Sequence, residues 1–164
     1  MNARLCRKLI VMMLVTVVSA CSDAPTPSTS TEQMPAAQQL QDLPVLHVEL
    51  QEVVDTYVLG GNRTDLQRDA MSAKLVGAIV SWRLKVYDIA KEDGRYRVIS
   101  ELMDGSVAGA FGKFGVVAFI APKDESDGEI LLNLQTGNEI EIRGRVDGVS
   151  ARTALVLSPA ELVR

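Results

Sequence analysis

The stretch from Val76 to Val86 constrains the fold of this chain more than any other. At every second position it reads Val76, Ala78, Val80, Trp82, Leu84 and Val86, all apolar. The positions between them read Gly77, Ile79, Ser81, Arg83, Lys85 and Tyr87. A period of two sustained this long belongs to a β-strand with one face on a core, because a helix would scatter the same side chains around its circumference. A half-buried strand is not stable alone, so its partners must lie elsewhere in the chain.

They lie downstream. Lys91-Glu92-Asp93-Gly94 has the chemistry of a hairpin turn and leads into Arg95–Leu102, where Tyr96, Val98, Ser100 and Leu102 alternate with Arg95, Arg97, Ile99 and Glu101. A glycine-rich segment, Asp104 to Gly115, precedes Val116–Ile120, which is apolar on both faces and so predicts a strand covered on both; Pro122 ends it. Asp124 to Gln135 carries an acidic first turn and Ile130, Leu131 and Leu134, the pattern of a helix stopped by Thr136-Gly137-Asn138. Ile140, Ile142 and Val146 alternate with Glu139, Glu141, Arg143 and Arg145 in a fourth strand. A turn at Asp147-Gly148 then leads to a fifth strand over Thr153–Leu157, with Pro159 as its terminator.

Two helices are expected ahead of the strands. From Pro44, the residues Leu46, Val53, Val54, Tyr57 and Val58 recur at near-helical spacing up to Gly60-Gly61. Thr64 with Gln67 forms a capping-box pattern, opening a short helix to about Lys74 with an apolar stripe of Leu66, Ala70, Met71 and Leu75. The fold class predicted is therefore mainly β, a β-barrel with α additions. Its strand count fits a five-stranded OB-fold-like barrel with a helix between strands 3 and 4, preceded by two short helices. The segments GAIVSWRLKVY (77–87) and GNEIEIRGRVDGVSARTALVLSPAEL (137–162) resemble the bacterial tRNA-anti-like OB-fold proteins, many of them secreted or lipid-anchored; the resemblance spans roughly residues 73–162. It implies a fold and brings no catalytic residues with it.

The N-terminus carries the address. Arg4, Arg7 and Lys8 precede twelve uncharged residues, Leu9 to Ala20, a length that suits a signal-peptide core and falls short of the roughly 20 residues of a membrane span. Val18-Ser19-Ala20-Cys21 resembles the bacterial lipobox at all four positions, which implies cleavage between Ala20 and Cys21 and lipidation of Cys21. Acyl chains at about 0.8 kcal/mol per buried CH₂ make such attachment effectively permanent when two or more are present. Ser22 after the cysteine leans towards the outer membrane, with the domain facing the periplasm. Residues 1–20 then form a signal peptide, residues 21–43 the lipidated cysteine and a linker, and residues 44–164 the OB-like domain. The linker, rich in Pro, Ser, Thr and Gln, has a root-mean-square span on the order of 25 Å.

Charge and residue inventory narrow the function. Beyond residue 39 remain 14 basic and 19 acidic residues, because Arg4, Arg7, Lys8, Asp23 and Glu32 lie before it; the domain carries about −5. That balance, with seven aromatics in the chain, disfavours binding to a phosphate backbone. Cys6 and Cys21 both precede the domain, so it stands on its core without a disulfide. His47, the single histidine, is expected at the start of the first helix and leaves no Ser-His-Asp or Cys-His set and no histidine-rich metal site. Asp124-Glu125 and Asp127-Glu129 read as a helix N-terminus rather than a calcium or glycosidase site. No metal, cofactor or catalytic residue is assigned.

The outward positions of the strands make the candidate partner-binding surface: Arg83, Lys85, Tyr87, Arg95 and Arg97, with Lys113 and Phe114 from the glycine-rich loop. The expected function is that of a membrane-anchored, non-enzymatic binding module for a protein or oligosaccharide. The alternatives are a single-stranded nucleic-acid binder, which would need basic grooves and stacking aromatics, and a carboxylate-dependent cell-wall hydrolase.

Overall fold

The computed structural model describes residues 40–164; the expected signal peptide, the lipobox-like stretch with Ala20 and Cys21, and the expected linker up to residue 39 lie outside the described residues. Three helices and six strands follow in the order α1 (Leu50–Tyr57), α2 (Asp65–Leu75), β1 (Ile79–Glu92), β2 (Arg95–Ser100), β3 (Met103–Asp104), β4 (Lys113–Ile120), α3 (Glu125–Asn133), β5 (Glu139–Ser150) and β6 (Ala154–Leu162). No described helix is long and apolar enough to cross a membrane.

The strands close a barrel. β1 pairs with β2 and β5, β2 with β4, β4 with β6 and β6 with β5; every pairing is antiparallel except β4–β6. This ring is the five-stranded OB-fold order, with α3 in the connection that carries the chain from β4 to β5. The two-residue β3, an extra pairing on the edge of β4, is an addition to that order. The expected fold class and helix position are those observed, with β4, β5 and β6 as the third, fourth and fifth barrel strands.

Local chemistry explains each element. Asp93 and Gly94, at φ 49° and 77°, form the two-residue loop between the paired residues Glu92 and Arg95, and positive φ at both positions is what a type I′ hairpin requires. Thr64 and Gln67 exchange both capping-box hydrogen bonds at the start of α2. Asp124 caps α3 by accepting from the Asp127 N–H at 2.8 Å. Inside the barrel, Val80, Trp82, Leu84, Val86, Val98, Phe114, Val116, Ile120, Ile142, Leu155 and Leu157 form one core with Val53, Val54 and Tyr57 of α1.

Several expectations are corrected. β1 starts at Ile79 and continues to Glu92; Val76 lies before it and is exposed. Asp147-Gly148 is no turn: β5 runs through it with irregular register to Ser150, and the reversal occurs at Ala151-Arg152, both at positive φ. Pro159 does not end the last strand, which reaches Leu162; it sits beside an irregularity in the β4–β6 register, where a missing N–H costs no ladder bond. Leu66 and Ala70 of α2 face solvent, leaving Leu75 and half-buried Met71 to hold that helix to the barrel. The outward face of β4 is only half covered. Residues ahead of Pro44 also pack on the barrel: Leu40 is buried and the Leu43 carbonyl accepts a hydrogen bond from Arg143.

Candidate binding surface

Two groups of side chains emerge from the sequence-predicted surface, and the cause is a register shift in β1 between Val86 and Asp88. Before it, the even-numbered residues Val80, Trp82, Leu84 and Val86 point inwards, and Arg83 and Lys85 point out. After it, Asp88, Ala90 and Glu92 lie opposite Ile99, Arg97 and Arg95, the outward residues of β2. Tyr87, at the irregularity, is exposed.

The first group lies where β1 parts from β2. Arg83 and Lys85 line a depression of about 320 Å³ with Glu101, Leu102, Met103 and Glu139. Arg83 lies 3.8 Å from Glu141 across the β1–β5 pair. The second group covers the outer face of β2 and β4. Arg97 pairs with Phe119 in the ladder, and Ile99 with Val117. All four are half-buried, which makes an apolar strip edged by guanidinium groups. The Arg95 guanidinium lies 5.5 Å over the ring of Phe119, in cation–π contact, and Arg97 Nε is 2.8 Å from Glu92 Oε1.

Lys113 and Phe114 belong to neither group. Lys113 is exposed at the start of β4 and paired with Asp104 at 3.0 Å. Phe114 is fully buried, its ring stacked on Tyr57 at 5.4 Å between centroids, so it closes one end of the core and cannot meet a partner. Adjacent strand residues point to opposite faces, and Lys113 takes the outer one. His47 precedes α1 in an extended, exposed segment rather than opening the helix. Phe119 and Val117 were missed as surface residues because the apolar β4 sequence does not distinguish its two faces; their pairing with Arg97 and Ile99 would have marked them.

The glycine-rich loop is pinned to α1. The Ser106 hydroxyl donates to Asp55 Oδ2, and the Ser106 N–H donates to Oδ1 at 2.7 Å. Gln51 Nε2 bridges Asp55 Oδ1 at 3.0 Å and the Asp104 carbonyl at 3.1 Å. Desolvation pushes the Asp55 pKa up, and the hydrogen bonds from Ser106 and Gln51 outweigh it, holding the carboxyl below its ordinary value. Among the described residues no cluster of His, Cys, Asp and Glu is arranged to hold a metal ion.

No protein-family model matches the chain, and no curated protein matches it. Solved structures do resemble it. A candidate nucleic acid-binding lipoprotein from Klebsiella pneumoniae subsp. pneumoniae is 20% identical over 60% of this chain and 81% of its own, with a TM-score of 0.39. The Stn1–Ten1 complex of S. pombe is 15% identical, covering 52% of this chain and 58% of that one, with a TM-score of 0.32. An aspartyl-tRNA synthetase from Entamoeba histolytica is 12% identical, covering 79% of this chain and 24% of that one, with a TM-score of 0.40. The fold assignment rests on this chain's own strand order.

Proposed function

We propose that this chain is a membrane-anchored envelope lipoprotein whose barrel is a non-enzymatic binding module, engaging a protein partner through the outer face of β2 and β4. Anchoring rests on the lipobox-like Val18-Ser19-Ala20-Cys21 and the charged and apolar segments before it. The observation that carries the choice of partner is the state of the face's cations and its aromatic ring. Arg97 is paired with Glu92, and Phe119 already lies under Arg95. A nucleic-acid strand needs unpaired cations for its phosphates and open rings for its bases, and an oligosaccharide stacks on open rings. A protein interface wants what is here: a half-buried apolar centre with arginines at its rim.

Photo-crosslinking from position 99 or 117 of the lipidated protein in intact envelopes tests the reading. A discrete, protease-sensitive adduct that is lost with Phe119→Ala is expected. An adduct removed by nuclease would install the nucleic-acid reading instead, and no adduct from either position would remove the face from consideration. Metabolic labelling with a clickable fatty acid checks the anchor: label that is lost with Cys21→Ser supports it, and label that persists overturns it.

A further inference from the structure

A second site lies away from the β2–β4 face. A cavity of about 380 Å³ opens at the end of β6, lined among others by Gln41, Lys123, Arg143, Glu161, Val163 and Arg164. Glu161 is 2% exposed, and burying a carboxylate this deeply is costly unless it is paired and hydrogen-bonded. Lys123 Nζ lies 3.0 Å from its Oε2 and balances its charge, yet that oxygen has no aligned hydrogen bond among the described residues. Arg143 stands directly opposite Glu161 in the β5–β6 ladder. Its Nη2 donates to the Leu43 carbonyl at 2.5 Å, and among the described residues its buried Nε has no hydrogen-bond partner and no carboxylate lies within ion-pair distance of it. Arg164 is already engaged by Asp124 at 2.7 Å and Asp127 at 2.6 Å.

The wall therefore offers one half-buried guanidinium with no described carboxylate at ion-pair distance and, on the adjacent strand, a buried carboxylate whose Oε2 is approached by Lys123 alone. Cross-strand neighbours stand about 4.5–5.5 Å apart at Cβ, so a single small ligand can span the two. From this we infer that the cavity binds a carboxylate carrying a hydrogen-bond donor on its α-carbon, as in a free α-amino acid or the C-terminal residue of a peptide. The ligand carboxylate meets Arg143, and its amine or amide N–H donates to Glu161 Oε2. The donor is required because a bare anion would sit beside a buried carboxylate with nothing to offer it.

Isothermal titration of the full chain in detergent decides the matter, with L-alanine, N-acetyl-L-alanine and L-alanyl-L-alanine as probes and propionate and L-alaninamide as controls. One binding site is expected for L-alanine or for the two acylated forms, and which of these binds separates the free amino acid from the peptide terminus. Propionate and alaninamide should bind at least about tenfold more weakly, since each lacks one of the two groups. Arg143→Gln and Glu161→Gln should each weaken binding by a similar factor. Because either substitution could disturb folding, Val163→Trp, which fills the cavity mouth without touching a charge, should also abolish binding while the melting temperature holds. Absence of heat with every probe to millimolar concentration, propionate binding as tightly as alanine, or binding indifferent to Val163→Trp would each overturn the inference. None of these outcomes bears on crosslinking from the β2–β4 face.

Discussion

Replacing Phe114 by alanine tests how α1 is docked on the barrel. If Phe114 belonged to a partner-binding loop, its truncation would leave stability within about 0.5 kcal/mol, as for most surface substitutions. The structure instead places it at zero exposure, stacked on Tyr57, where α1 closes the barrel. Phe→Ala at a buried site costs about 3–5 kcal/mol through lost transfer energy and the cavity left behind. Against a typical total of about 5–15 kcal/mol, that is a large fraction. For a domain of this size it lowers the melting temperature by roughly 10 °C or more. Thermal and urea unfolding followed by circular dichroism measures it, with Lys113→Ala as the neighbouring control. That residue's exposed pair with Asp104 is worth at most about 1 kcal/mol. A double-mutant cycle with Tyr57→Leu and Phe114→Leu should return a coupling of about 0.5–1.5 kcal/mol for the stacked pair. A loss below about 1 kcal/mol for Phe114→Ala, or one equal to that of Lys113→Ala, would refute the placement and with it the docking of α1.

Other perturbations probe separate parts of the fold. Gly144→Val should destabilise the barrel by about 1–3 kcal/mol in urea unfolding, because even a Cβ there would stand 3.0 Å from that of Ala160 and 3.1 Å from that of Leu157. Ser100→Ala removes the buried hydroxyl that accepts from the Val116 N–H at 2.9 Å and should cost about 1–3 kcal/mol by the same measurement. The Asp55 carboxyl is held below its ordinary value in the folded chain, so the stability it contributes is complete above about pH 4 and is lost as pH falls through the lowered value. Hydrogen exchange of the Ser106 amide, corrected for intrinsic rates, should therefore quicken at acid pH, and Asp55→Ala should make it fast at neutral pH as well.

Where one local signal decided an element, the sequence was legible: the Asp93-Gly94 hairpin, the Thr64–Gln67 capping box, the inward row of β1 and the acidic start of α3 are all in place. Tertiary context decided the rest. Asp147-Gly148 has turn chemistry, but both residues are absorbed into a long, irregular β5 that must curve to close the ring. The stripe on α2 carries the right period, yet the barrel end accepts only Leu75 fully and Met71 in part, so Leu66 stays in water. Phe114 and Phe119 look alike in sequence, and only the register of β4 places one in the core and the other under Arg95. The cavity beside Glu161 was not legible, because it joins residues from the start of the domain, the β4–α3 connection, β5 and β6.

The register shift at Val86 and Asp88 links fold to surface chemistry. It lets one strand bend so that its first half pairs with β5 and its second with β2, as closure requires. A slip of one residue also exchanges the faces of everything beyond it. Glu92 thereby comes to lie outside, opposite Arg95 and against Arg97, and Lys91 falls on the parity of the core, its ammonium 5.6 Å over the ring of Tyr96. With the unbroken alternation of the first half, Lys91 would have joined Arg95 and Arg97 on the outer face and Glu92 would have left it. That surface would carry three cations without the carboxylate that pairs with Arg97, a surface suited to a polyanion. The irregularity that closes the barrel thus also balances the charge of its outer face, and this is the physical ground for the proposal that a protein docks there.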